Sequence, residues 1–195
     1  GMSEPPPFPA DMDATMAIAR RFEARAARDP ALAGAVLGDV LRLVPGKRAV
    51  LSGRFDGHPA IYRFHFDAPQ ENATRSWAEL TRTAGYMCEG DLRVNAPLHH
   101  VPDLGLVVVE HAPGTPLMQH LWHTPRQARA GYLAPAARWL RKYTAPTEAH
   151  VPARPERWLK RARAAAERQP YDHLRPVEAA LLTEIGRIAA ALAEH

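Results

Sequence analysis

The sequence predicts an α+β fold: a small antiparallel sheet with one packed helix, followed by a region built only of helices. Three observations carry this. "RAVLSGRF" and "HPAIYRFHF" are alternating apolar runs joined by Asp56 and Gly57, a pair that tolerates positive φ at both central positions of a tight hairpin turn. A single segment of helical period separates that hairpin from a second β-rich stretch ending in "LVVVE", residues 106–110. From Pro116 onward every periodic segment is helical.

Taken in order, "DATMAIARRFEARAAR" carries Met16, Ala19 or Ile18, Phe22 and Ala26 at helical spacing, with Asp13 as N-cap. "DPALAGAVLGDVLRLV" opens on an Asp-Pro cap signal, while its tail "VLRLV" has strand character, so the boundary there stays open. In the hairpin that follows, Pro59 donates no hydrogen bond and suits a strand start or an edge. "DAPQENATRSWAELTRTAG" reads as a helix: Asp67 caps it, Gln70 lies three residues on, Ala73, Trp77, Leu80 and Ala84 share a face, and Gly85 stops it. "LRVNAPLHHV" supplies a loop and a short strand, and "PDLG" turns the chain into "LVVVE". Beyond it, "TPRQARAGYLAPAARWLRKYT" has Thr124 as cap, Pro125 in its first turn, Leu133, Ala136, Leu140 and Tyr143 on one face, and an expected kink at Pro135. "PERWLKRARAAAERQ" and "PVEAALLTEIGRIAAALAEH" complete the helices, the latter with Leu181, Ile185, Ile188 and Leu192 in register.

Composition bounds the function. A chain of 195 residues holds one modest domain or one and a half, and 46% hydrophobic with 24% charged residues is ordinary for a globular protein. Gly1 ahead of Met2 reads as an expression scar, and residues 1–10 as a disordered proline-rich leader. No apolar run reaches 18 residues and no signal peptide precedes the first helix, so the expectation is a cytoplasmic protein with no membrane partner. Cys88 is the only cysteine, which rules out an internal disulfide; its plain reading is a buried, inert thiol. A net charge of +4 is too small to demand a nucleic-acid partner, and the arginine-rich helices lack interleaved aromatics. His99, His100, His120 and His123 have no carboxylate or cysteine at metal-ligand spacing.

The order hairpin, helix, two strands, Pro-Gly turn, helices resembles the nucleotide-binding N-lobe of the protein-kinase-like superfamily, specifically its aminoglycoside phosphotransferase and choline kinase branch. "RAVLSGRFDGHPAIYRF" is similar to the second and third strands and "ENATRSWAELTRTAG" to the helix behind the sheet. "LGLVVVEHAPGTPL" is similar to the fifth strand, the hinge and an E-x-x-P-G-x-x-L turn, and "AARWLRKYTAPT" to a C-lobe helix. The resemblance covers most of residues 40–150. It implies ATP and Mg²⁺ as cofactors and a small-molecule acceptor, which the sequence does not identify. It implies that Val109 lines the back of an adenine site and that Glu110, His111 and Ala112 face the purine. There the carbonyl of Glu110 would accept from the exocyclic amine and the amide of Ala112 would donate to the ring.

At the phosphate-binding position the sequence departs from the family. Relatives place a lysine on the third strand; the matching residue in "AIYRF" is Arg63, whose planar head keeps the charge but not the compact shape of an ammonium. The alternative is a solvated strand residue. Glu79 has a suitable separation to pair with Arg63, although it lies off the apolar stripe, and the alternative is a surface acid. The covering loop "VPGKRAV" offers only Gly46, with Lys47 beside it. "HFDAPQEN" matches the catalytic-loop pattern H-x-D-x-x-x-x-N at His65, Asp67 and Asn72, but it leaves a hairpin strand and enters a helix, so Asp67 reads as a cap.

These readings divide the chain into the leader 1–10, a nucleotide-binding lobe 11–112, and the start of a helical C-lobe 113–195, truncated before a catalytic loop. The expected function is the ATP-binding portion of a kinase-like phosphotransferase, transferring phosphoryl to a hydroxyl in a longer protein. No catalytic base or metal ligand is credible within the chain. The alternatives are a non-catalytic kinase-like interaction module and a basic helical binding protein unrelated to kinases.

Overall fold

A computed structural model describes residues 9–151 and 154–193; residues 1–8 of the expected leader lie outside the described residues. By its contacts the chain divides into two units, Gly1–Pro146 and Thr147–His195. The first holds α1 (Pro9–Ala26), β1 (Ala35–Val44), β2 (Arg48–Phe55), β3 (His58–His65), α2 (Pro69–Ala84), β4 (Pro97–Val101), β5 (Leu106–Glu110), α3 (Leu117–His123) and α4 (Ala130–Thr144). The fold class is α+β, with one five-stranded antiparallel sheet in the order β1-β2-β3-β5-β4.

The β2–β3 hairpin turns at Asp56 (φ 50°) and Gly57 (φ 80°), the two left-handed positions that the Asp-Gly pair was expected to supply. From that turn the register follows: Phe55 faces His58, Val50 faces Arg63 and Arg48 faces His65. The "VLRLV" tail is strand, and β1 begins even earlier, at Ala35, after Asp29 caps a single 3-10 turn at Pro30–Leu32. As an edge strand with irregular pairing to β2, β1 leaves Val36, Val40 and Leu41 exposed.

Strand alternation sorts the sheet into two faces, and each is covered. On one, Ile61, Val107 and Val109 pack with Ala73 of α2, flanked by Val50, Trp77 and Leu80. On the other, Ala49, Leu51, Ala60, Tyr62, Phe64, Leu106 and Val108 pack with Ile18 and Phe22 of α1. Phe22 meets the rings of Tyr62 and Phe64 edge-on, with centroids 5.5 and 6.0 Å away. The sequence predicted the α2 contact but assigned α1 no place on the sheet. β5 is apolar at successive positions because it is buried from both sides.

Three capping expectations are corrected. α1 starts at Pro9, which puts Asp13 inside the helix. α2 starts at Pro69 behind Ala68, which is left-handed at φ 38°; Asp67 supplies no side-chain cap, and its main-chain oxygen instead accepts from Asn72 Nδ2 at 2.6 Å. Thr124 closes α3 rather than opening the next helix, and a 3-10 turn intervenes before α4. Apolar faces are also less buried than their periodicity suggested: Leu133 and Leu140 of α4 are about half exposed.

The second unit contains α5 (Glu156–Glu167) and α6 (Arg175–Ala193), paired through Leu159 and Ala189 on their buried sides. Pro155, Trp158, Ile185, Ile188, Ala189 and Leu192 line a shallow apolar hollow of about 150 Å³. Among the described residues, no helix is long and apolar enough to cross a membrane.

Candidate functional site

β5 carries the chain from a closed interior to an open surface within three residues. Val109 is fully buried, Glu110 is partly exposed and His111 is exposed. The crossing is anchored on both sides: the Glu110 amide donates to the Ala96 carbonyl at 2.9 Å and the His111 amide to Pro59 at 3.1 Å. Arg93 reaches the Glu110 carboxylate at 3.3 Å, turning that side chain towards the loop before β4. Ala112, only partly covered, has an amide with no hydrogen-bond partner among the described residues. The side chains of Glu110 and His111 are thus peripheral, and main-chain groups are what this crossing offers.

Arg63 sits two residues beyond Ile61 on the same strand and so on the α2 side of the sheet. Opposite it stands Val50; the next pair along that face is Arg48 with His65. Three basic side chains are therefore neighbours across β2 and β3. Burial lowers the pKa of Arg63, and the charge of Arg48 lowers it further. His65 is held below the ordinary imidazole range by burial, then by Arg48 and Arg63. None of the three takes part in an ion pair among the described residues, and His65 Nε2 is buried without a hydrogen-bond partner.

The structure does not join Glu79 to Arg63. Glu79 faces outward, where its carboxylate takes Arg82 at 2.7 Å and the Tyr143 hydroxyl at 2.5 Å; these bonds, Arg82 first, lower its pKa to about 2. The displacement follows from helical geometry, because Ala73, Trp77 and Leu80 already occupy the inward stripe. Tyr86 extends the network: its hydroxyl donates to the Tyr143 carbonyl at 2.7 Å and receives Arg82 at 3.2 Å. Glu79 is a structural tie between α2 and α4.

His65, Asp67 and Asn72 do not form a catalytic loop. His65 ends a strand, Asp67 is exposed, and Asn72 is spent on the Asp67 main chain. His99 stacks on Phe55 and His100 on Trp77, the latter with centroids 4.5 Å apart, so both rings serve packing. Cys88 is exposed, contrary to the buried thiol expected; it lies in the irregular segment after α2, where Met87 takes the interior position.

No protein-family model matches this chain, and no curated protein matches it. The fit of the implied cofactors therefore rests on the donor set alone. A phosphate group suits the Arg48, Arg63 and His65 cluster, which pairs cationic donors with an orphaned buried nitrogen. Magnesium does not suit this cluster: a hard cation takes oxygen ligands, and Arg48, Arg63 and His65 offer only guanidinium groups and an imidazole.

The sequence points to Arg63 but not to Arg48, and it singles out His65 only within the H-x-D-x-x-x-x-N pattern, not as a neighbour of Arg63. The signal was available. Fixing the turn at Asp56-Gly57 pairs residues whose numbers sum to 113, which sets Arg48 against His65 and both beside Arg63.

Proposed function

We propose that this chain is the nucleotide-binding portion of a kinase-like small-molecule phosphotransferase, with Val109 at the back of the base site and the Glu110 carbonyl and Ala112 amide facing the base. The observation that carries the reading is the open crossing after β5, at the end of a sheet ordered β1-β2-β3-β5-β4 with one helix between its third and fourth strands. Support comes also from the side of the sheet on which the parts fall. Val50, Ile61 and Val109 lie with Arg63 on the α2 side of the sheet, so a base beside them and its phosphates would share one side. ATP would supply the phosphoryl group for a hydroxyl acceptor; this chain's residues bind and orient the nucleotide, and no step of transfer is assigned to them.

A second reading, a non-catalytic kinase-like module that binds a protein partner, is favoured by one observation. Trp158, Leu181, Ile188 and Leu192 of the second unit are each about half exposed. Thermal unfolding with adenosine and with Mg-ATP separates the two. A nucleotide at a hundred times its dissociation constant adds about 2.7 kcal/mol of stability. No shift at millimolar nucleotide removes the first reading.

A further inference from the structure

We propose that Arg48, Arg63 and His65 form an anion site that takes phosphate groups directly, without a divalent cation. The inference deepens the nucleotide reading and rests on it for the identity of the natural ligand. The geometry is that of two adjacent cross-strand pairs: Val50 with Arg63 and Arg48 with His65 place all three basic groups on one face at alternate positions.

The cluster is electrostatically unfinished. Like charges on neighbouring strands repel, and burying a guanidinium without a partner costs more than exposing it. Arg25, Arg82, Arg93, Arg175 and Arg187 each hold a carboxylate, and what sets Arg63 apart from the exposed arginines is that it is partly buried beside Arg48. Among the described residues, burial and then the charges of the cluster itself act on Arg63 and His65. An anion placed there would neutralise the repulsion and accept hydrogen bonds from two guanidinium groups and from His65 Nε2.

Two features shape the site for a phosphate. His65 is fixed from the backbone, its amide donating to Gly105 at 2.9 Å, and the following Phe66 amide donates to Lys47 at 2.8 Å, which ties the cluster to the β1–β2 turn. Arg48 is exposed and Arg63 partly buried, so the site has an open end and a closed one. With no carboxylate in the set, a metal complex of the ligand would meet cations with no counter-ligand to offer.

The test is calorimetric titration of the full chain with inorganic tripolyphosphate in EDTA, repeated with excess Mg²⁺, beside a separate titration with adenosine. Tripolyphosphate is expected to bind in EDTA and to bind more weakly with Mg²⁺. Arg63→Gln should weaken it about tenfold, as should Arg48→Gln, whose exposed position leaves folding undisturbed. Binding that requires Mg²⁺, or that is indifferent to both substitutions, overturns the proposal. Adenosine binding without tripolyphosphate binding overturns it while sparing the nucleotide reading. Tripolyphosphate binding without adenosine binding supports the anion site and removes the nucleotide.

Discussion

Tyr143 donates its hydroxyl to Glu79 at 2.5 Å and thereby fastens α4 to the outer surface of α2. A phenol bonded to a carboxylate is stronger than a neutral pair, but this one is partly exposed, so its net worth is modest. Tyr143→Phe is expected to cost about 1 kcal/mol in a urea titration. Nucleotide affinity should stay as it was, because Glu79 does not reach Arg63; a loss of affinity without a loss of stability would contradict the placement of Glu79.

Gly105 is a second sensitive point. Its φ is 64°, and a Cβ added there would sit 2.5 Å from the His65 carbonyl and 2.7 Å from the Pro69 ring. Gly105→Ala should therefore cost about 1–3 kcal/mol through backbone strain. Because the neighbouring strand end carries His65, anion binding should weaken along with stability. A variant as stable as the parent in thermal unfolding would show that the turn relaxes freely.

Acid should destabilise the protein in two stages. His65 and His100 are both held below their ordinary pKa of 6.5, chiefly by burial. The unfolded chain therefore takes up protons first, and stability that is complete above pH 6.5 drains as the pH falls below it. A second loss begins below pH 4.5, as Glu79 is protonated on the way to its folded pKa of about 2. Urea midpoints measured from pH 8 to pH 4 should fall first near pH 6, and His65→Gln should flatten that first step. A midpoint that is level or rises between pH 7 and pH 5.5 refutes it.

Much of the first unit was legible because its determinants are local. The Asp56-Gly57 turn, the Ala73, Trp77 and Leu80 stripe and the unbroken apolar run of β5 each state their own structure. What was not legible depends on groups distant in sequence. Phe22 of α1 finds Tyr62 and Phe64 only when the sheet exists, and the period of α1 does not say which surface it will cover. Glu79 has two readings in the sequence, a partner for Arg63 or a surface acid off the apolar stripe, and only the placement of Tyr143, distant in sequence, shows what its carboxylate holds. Arg48 matches no motif and His65 stands out only within the H-x-D-x-x-x-x-N pattern, although pairing from the turn brings the two together.

Cys88 offers a simple check on the segment after α2. An exposed thiol reacts at a rate set by its ionisation and access. Ellman's reagent should label the native protein at a rate close to that of the urea-unfolded chain; protection by more than about tenfold would return the thiol to the interior.

A strand that is greasy on both sides cannot tell its own alignment. If β5 slid by one residue, Val107 and Val108 would trade faces and hydrophobicity would scarcely notice. Correct alignment must instead be dictated by the ends of the strand, through the tight bend at Gly105 and the anchoring of the Glu110 and His111 amides. The crossing proposed to greet a nucleotide thus also sets the vernier of the whole sheet, and a mutation that loosens it should scramble the assembly before it merely weakens a ligand.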